Sequence, residues 1–233
     1  EGLISSPSFG NGDKKEILRY LGYRGQTMDA HTNVLIDTCM QQLEESAKPR
    51  FIYRTFTLLQ NEKTQTLSLL ECGLAICSQN LFQHLLGCQH CVILAATLGI
   101  EADNLIRIAQ NESMSRAVIL DACAADMIEK LCDFAETEIA ETAEADGLFL
   151  RPRFSPGYGD CPLTLQNDIG RILDTSRKIG LTVTDRALML PRKSVTAFIG
   201  LGKDKKKKAP PSCDTCNMRG RCQYQREGIT CGH

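Results

Sequence analysis

The chain has 233 residues, of which 42% are hydrophobic and 24% are charged. This composition is ordinary for a globular protein and excludes the strongly disordered classes, and the length predicts one large domain or one domain with an appendage. The formal net charge of −1 argues against a nucleic-acid partner, because neutralising phosphates requires an excess of Lys and Arg. The longest nearly apolar run, residues 91–100, is too short to span a bilayer, so a membrane is not an expected partner.

The cysteines and the first residues bear on the cellular compartment. Residues 1–13 contain no apolar stretch of the kind found in export signals. Most of the 12 cysteines lie in apolar helical or strand contexts, where a thiol packs as a small hydrophobe. This pattern fits a reducing environment better than a disulfide scaffold, and it predicts a cytoplasmic protein.

The first half of the chain alternates helical and strand patterns. Helix signals come from a capping residue before an apolar stripe and a glycine or proline after it, and strand signals come from runs of aromatic and β-branched residues. The predicted elements are a short helix from Asp13 to Gly22, a helix over 30–47, a hairpin of strands 51–59 and 64–70, a helix capped by Ser78 and closed by Gly87, and a buried strand over 91–98.

The second half begins with the longest helical signal. Residues 115–144 carry an apolar stripe on one side and acids on the other, which predicts a long central helix. A second amphipathic helix is predicted over 165–179, ended by Gly180, and a final strand over 194–201. The strands and helices do not follow a regular βαβ alternation, so the pattern predicts an α+β fold with a mixed or antiparallel twisted sheet packed with helices.

The composition changes abruptly after Gly202. Residues 203–211 are a polar Lys/Pro linker, most simply a solvated one, although its lysines could help to dock an acidic partner such as a flavodoxin-like reductase. The chain is therefore predicted to divide into a main domain over 1–202, the linker over 203–211 and a small Cys-rich tail over 212–233.

The loop over 151–162 carries the strongest chemical signal. It combines arginines, prolines, glycines and a tyrosine between two helices, so its backbone is expected to be rigid and non-helical. Such a loop can hold an arginine fork and an aromatic face in fixed relation, and its backbone can approach a ligand closely at Gly157. The pattern indicates recognition of a small molecule that bears a carboxylate and a cation or ring, and a structural Pro/Gly crossover loop is the alternative.

Residues Arg153 to Pro162 have the form R-x-x-P-G-Y-x-x-C-P. This resembles the S-adenosylmethionine-binding signature of the activation domain of cobalamin-dependent methionine synthase. Segments 179–184 and 189–196 are similar to the family's continuation in order and spacing, and residues 18–23 and 96–99 resemble its stand-alone anaerobic members. The resemblance extends from about Ile17 to Gly202.

The resemblance implies a set of binding residues. Arg153 should bind the carboxylate of S-adenosylmethionine, and Tyr158 and the Ser155 backbone should border the adenosyl part. Glu129 stands where the family places an acid near the ligand's amino group, although an acid off the apolar face of a helix is as readily a solvated one. Arg151, two residues upstream of Arg153, is a second candidate for the carboxylate.

The resemblance also implies the activity. A corrinoid methyltransferase occasionally loses an electron to give inactive cob(II)alamin, and methylation by S-adenosylmethionine traps the re-reduced form as methylcobalamin. The cofactor supplies this chemistry, so no catalytic acid or base is expected, and the chain lacks the glycine-rich loop of common S-adenosylmethionine methyltransferases. No D-x-H-x-x-G corrinoid motif is present and the histidines are isolated, so cobalamin is expected on a partner corrinoid protein or methyltransferase.

The tail brings Cys213, Cys216, Cys222 and Cys231 within nineteen residues. A segment this small has almost no apolar core and needs a cross-link or a bound metal to stay folded. Zinc or an iron–sulfur cluster would serve, and disulfides or free thiols are the alternative. Cys88 and Cys91 form another C-x-x-C pair, but they abut a buried strand and are expected to pack in the core.

Three functions therefore compete. The first is reactivation of a corrinoid-dependent methyltransferase, supported by a flavodoxin-like or ferredoxin-like electron donor. The second is an iron–sulfur electron donor to a corrinoid protein, in which the tail is the active element. The third is a protein that senses S-adenosylmethionine without chemistry.

Overall fold

The computed structural model describes residues 2–5, 13–23, 28–204 and 220. Its helices are α1 (Lys14–Tyr20), α2 (Ala30–Ser46), α3 (Gln79–Leu85), α4 (Ile100–Glu112), α5 (Met114–Ala145), α6 (Leu165–Leu173) and α7 (Thr175–Ile179). Its strands are β1 (Gly2–Ser5), β2 (Arg50–Asn61), β3 (Thr66–Leu69), β4 (Leu74–Cys77), β5 (Cys88–Thr97), β6 (Phe149–Leu150), β7 (Thr182–Val183), β8 (Met189–Leu190) and β9 (Ser194–Gly202). Among the described residues, no helix is long and apolar enough to cross a membrane.

The strands form a seven-stranded sheet in the order β4-β3-β2-β5-β9-β6, with β1 added beside β2. Every pairing in this sheet is antiparallel, and β7 and β8 form a separate small hairpin. The predicted α+β class with an antiparallel sheet is therefore confirmed. The predicted hairpin over 51–70 is also present, as β2 and β3.

Side chains on the three central strands alternate between two cores. On β5, Val92 and Leu94 contribute to one core, and Cys91 and Ile93 contribute to the other. The first core is completed by α2, α4 and α5, and the second by α3, α6 and α7. Successive strand residues point to opposite faces, so each face of the sheet contributes to one of the two cores. Helices therefore cover the sheet on both sides.

Two helical regions differ from the sequence prediction. The helix predicted over 165–179 is divided into α6 and α7 at Asp174, whose φ of 51° is left-handed and interrupts the helix. Helix α4 was not predicted, because Gly99 gives no side-chain cap and the buried positions Ala102, Ile106 and Ala109 are few. The predicted central helix is confirmed as α5, which begins after the N-cap Ser113.

Candidate functional site

The loop over 151–162 begins as a continuation of the edge strand β6. The Arg151 amide donates to the Gly200 carbonyl at 2.8 Å, and Phe154 and Phe198 exchange two backbone hydrogen bonds of 2.9 Å. The first residues of the loop therefore stay paired with β9. Further along, the Gly157 amide donates to the Cys161 carbonyl at 2.9 Å and closes a tight turn.

An extra residue in this pairing separates the two candidate arginines. Arg151 pairs opposite Gly200 and Phe154 opposite Phe198, so both Pro152 and Arg153 face the single residue Ile199. In a regular strand, residues two apart point to the same face, whereas an inserted residue reverses the direction of those that follow. Arg151 therefore points to the face covered by α3, and Arg153 points to the face covered by α5.

Arg153 meets three carboxylates on α5. Its Nη1 lies 2.8 Å from Asp133 Oδ1 and 3.2 Å from Glu136 Oε2, and its Nη2 lies 3.0 Å from Glu129 Oε2. The acids are spaced by four and three residues and so share one face of the helix. The Arg153 side chain is 18% exposed, whereas those of Glu129 and Asp133 are 48% and 64% exposed. The result is a half-buried cation beside a negatively charged, accessible helix face.

Arg151 is held in a different environment. It is buried, and its Nη1 donates to the Asp204 carbonyl at 2.9 Å. A Cβ at Gly200 would lie 3.0 Å from Arg151 Cγ, so the glycine leaves the room that the arginine stem occupies. Of the two arginines, Arg153 is the one that the fold places beside acidic groups and solvent.

Aromatic residues lie on the same loop, toward α3. Tyr158 is 64% exposed, and its ring stands edge-on to Phe154 at a centroid distance of 6.5 Å. The His84 ring lies 5.2 Å from Phe154, and His84 Nε2 lies at hydrogen-bond distance, 2.7 Å, from the Pro152 carbonyl oxygen. The Tyr158 amide donates to the Ser155 carbonyl at 3.3 Å. Tyr158 thus presents an accessible ring on a braced backbone.

Gly157 allows the turn before Tyr158. Its φ of +91° lies in the region that favours glycine, and a Cβ there would stand 3.1 Å from Leu163 Cδ1. The conformation and the close approach both disfavour a larger residue. The close approach of a ligand to the Gly157 backbone stays a prediction.

Asp160 fastens the far end of the loop to the start of α3. Its carboxylate accepts from the Ser78 hydroxyl at 2.6 Å and from the amides of Gln79 and Asn80 at 2.6 and 3.1 Å. The Ser78 hydrogen bond and these amides hold the pKa of the Asp160 carboxyl below its usual value. A carboxylate at a helix N-terminus also interacts favourably with the helix dipole.

The C-x-x-C pair in the main domain belongs to the core. Cys88 and Cys91 are buried in the cluster between the sheet and α3, and burial raises the pKa of the Cys91 thiol. The described residues contain no group of three or more His, Cys, Asp or Glu side chains placed to hold a metal ion. The four tail cysteines, Cys213, Cys216, Cys222 and Cys231, lie outside the described residues.

The site contains residues that the sequence analysis did not select. Asp133 and Glu136 join Glu129 around Arg153, and their spacing along α5 was a usable signal because it continues the same helix face. Asp160 gave no local signal, since its partners lie about 80 positions earlier in the chain. The predicted binding residues Arg153 and Glu129 are in direct contact, and Ser155, Gly157 and Tyr158 follow Arg153 on the same loop.

Comparison with known proteins bears on the fold. No protein-family model matches the chain, and no curated protein matches it. Among solved structures, a crystal structure of the MetH reactivation domain bound to AdoHcy is similar, with a TM-score of 0.61 and 13% sequence identity over 98% of this chain and 86% of that chain. The chain therefore shares the fold of the MetH reactivation domain.

Proposed function

We propose that this protein binds S-adenosylmethionine at the loop over 151–162 and reactivates a corrinoid-dependent methyltransferase. The observation that carries the proposal is the contact between Arg153 and Glu129. Two elements far apart in the sequence bring an arginine and an acid together, and the same loop carries the exposed ring of Tyr158. The signature R-x-x-P-G-Y-x-x-C-P and the fold shared with a reactivation domain support the same function.

The charges at the site fit the amino-acid end of the ligand. An amino acid carries a carboxylate and an ammonium group, which match a guanidinium and a carboxylate respectively. On binding, the ligand carboxylate takes the place of an acid on Arg153, and the released acid receives the ligand ammonium. The guanidinium and the released acid each keep a partner of opposite charge in this exchange, so the existing ion pairs do not oppose binding strongly.

The remaining residues hold the nucleoside part. Tyr158 offers an exposed ring face, and the backbone at Ser155 and Gly157, braced by hydrogen bonds within the loop, borders the adenosyl part. When bound, S-adenosylmethionine supplies an electrophilic methyl group, and the protein contributes orientation rather than acid or base catalysis. The cobalamin that accepts this methyl group is carried by the partner.

Titration of S-adenosylmethionine into Arg153 variants tests the binding site. Removing one partner from a largely desolvated carboxylate costs about 2–5 kcal/mol, so Arg153→Ala should weaken binding by more than about tenfold. Arg153→Lys should restore binding only in part, because lysine keeps the charge but loses the planar fork. Arg171→Ala on α6 is a matched control that should bind like the parent.

A methyl-transfer assay separates reactivation from sensing. The protein is mixed with a cob(II)alamin-loaded corrinoid methyltransferase, a chemical reductant and S-adenosylmethionine, and methylcobalamin is followed by its absorption spectrum. Methylcobalamin should form with the parent protein and fall at least about tenfold with Arg153→Ala at subsaturating ligand. Normal ligand binding without methylcobalamin formation would contradict reactivation and leave the sensing function.

A further inference from the structure

A pocket lies toward the N-terminal end of α5, whereas Arg153 contacts the middle of that helix. It has a volume of about 310 Å³ and is enclosed by one face of α4, by Asp121 of α5 and by the segment 190–193 that leads into β9. Asp121 and Glu129 are eight residues apart, which corresponds to about 12 Å along a helix. The pocket is therefore separate from the site at the loop.

The walls of this pocket are held in place by polar contacts. Lys193 Nζ lies 3.0 Å from both the carbonyl and a carboxylate oxygen of Asp121, and its side chain is only 17% exposed. Asp103 Oδ2 accepts from the Arg192 amide at 2.6 Å. These contacts join α4, α5 and the segment before β9, so the pocket exists without a ligand.

The charges in the pocket are unequal. Lys193 is matched by Asp121, and Asp103, which accepts from a backbone amide, keeps its negative charge. Arg107 and Arg192 also line the pocket, and within the described part of the chain no carboxylate pairs with either guanidinium. The pocket therefore carries an excess of positive charge.

The remaining lining is apolar. Ile106 is buried at the base, and the side chains of Ile100 and Leu190 are 52% and 49% exposed. Apolar walls with a few convergent polar groups are typical of small-molecule sites, and this volume lies at the lower end of their range. The pocket has space for an apolar body with one charged group.

We propose that this pocket binds a small organic anion, a phosphate monoester with an aromatic or other apolar body. Arg107 and Arg192 hold the phosphate, since guanidinium groups match phosphate oxygens in geometry and charge. The body of the ligand lies against Leu190 and Ile100. A carboxylate on the same body shares this chemistry but carries one charge fewer, so it binds more weakly.

Calorimetric titration with simple probes tests the assignment. Phenyl phosphate should bind with a dissociation constant near about 1 mM or below, benzoate more weakly, and inorganic phosphate and phenol at least about tenfold more weakly than phenyl phosphate. Arg107→Gln and Arg192→Gln should each weaken phenyl phosphate binding about fivefold, because each removes a charge-assisted hydrogen bond. Arg171→Gln on α6 should leave it unchanged.

Three outcomes would overturn the proposal: no heat from phenyl phosphate up to about 10 mM, equal affinity for inorganic phosphate and phenyl phosphate, or unchanged binding to the Arg107→Gln/Arg192→Gln double variant. Both arginines are exposed, and the hydrogen bond from the residue 192 backbone amide to Asp103 does not depend on the Arg192 side chain. The variants should therefore fold. Circular dichroism checks this. S-adenosylmethionine binding should be the same in all of these variants.

Discussion

At the residue scale, the main feature is the imbalance of charge around Arg153. One guanidinium faces the carboxylates of Glu129, Asp133 and Glu136, and the Glu136 side chain is 20% exposed. Burial works to lower the pKa of Arg153, but its interactions with Cys132, Glu136 and Asp133 outweigh burial and raise it. Burial raises the pKa of the Cys132 thiol to about 12, so at neutral pH the thiol is uncharged and the negative charge comes from the acids.

This imbalance predicts a preference for the sulfonium ligand over its neutral product. S-adenosylmethionine carries one more positive charge than S-adenosylhomocysteine, and in the proposed binding mode Glu129 rather than Asp133 receives the ligand's ammonium group. Asp133→Asn should therefore weaken S-adenosylmethionine binding about two- to fivefold and leave S-adenosylhomocysteine binding nearly unchanged, with a smaller difference at high salt. Titration of both ligands at two salt concentrations measures this.

Glu141→Gln, two turns further along α5, is the control and should bind both ligands like the parent. Glu129→Gln should weaken the binding of both ligands to a similar extent, because the amino group that it is proposed to receive is common to them. An equal loss for both ligands in Asp133→Asn would contradict a charge-based preference.

At the scale of elements, the loop depends on its attachment to α3. The hydrogen bonds of Asp160 to Ser78, Gln79 and Asn80 resemble a helix cap supplied from a distant part of the chain. Asp160→Ala should lower the free energy of unfolding by about 1 kcal/mol at pH 7, the usual cost of losing a cap. Urea unfolding at several pH values measures it.

The same bonds predict a pH dependence with a definite sign. The Asp160 pKa is lower in the folded protein than in the unfolded chain, so the stabilisation is complete above the unfolded value of about 3.9 and is lost as the pH falls through the folded value. The difference between parent and Asp160→Ala should therefore be constant between pH 7 and about pH 5 and decrease below about pH 4. Asp185→Ala, at another exposed position, should show no such difference. A difference in unfolding free energy between parent and Asp160→Ala that grew at acid pH would contradict the role of the ionised carboxylate.

At the scale of the whole molecule, the question is whether the Cys-rich tail is an independent module. The linker over 203–211 predicts few contacts between residues 212–233 and the main domain. Deleting residues 212–233 should remove bound metal and leave the melting temperature of the main domain within about 2 °C of the parent. Elemental analysis and thermal unfolding of anaerobically prepared protein measure both.

Equal metal content in the full-length and truncated proteins would place the metal outside the tail. Absence of zinc and iron from the full-length protein would contradict metal binding altogether. A visible absorption spectrum separates the two metals, since zinc is colourless and an iron–sulfur cluster is not. A cluster in the tail would also support the alternative in which the protein donates electrons to a corrinoid protein.

Much of the fold could be predicted from the sequence because its signals are local. The caps Asp13 and Ser78, the apolar stripe of α5 and the hairpin of β2 and β3 each depend on residues close together in the chain. The position of the candidate site could also be predicted, because prolines and glycines in the loop mark a rigid backbone whatever surrounds it. Short elements such as β6, β7 and β8 were missed because two residues carry no periodicity.

The sequence by itself determined the longer helices and strands with clear caps or stripes and the loop that carries the arginines, whereas only the tertiary structure decided which arginine meets acids. The signature begins at Arg153 but residue type alone does not separate it from Arg151, and it is one extra residue opposite Ile199 that turns the two arginines to opposite faces of the sheet. Likewise, Asp133 and Glu136 become part of the site only because α5 packs over the face to which Arg153 points. Strand register and helix packing join residues far apart in the chain, so no local pattern specifies them.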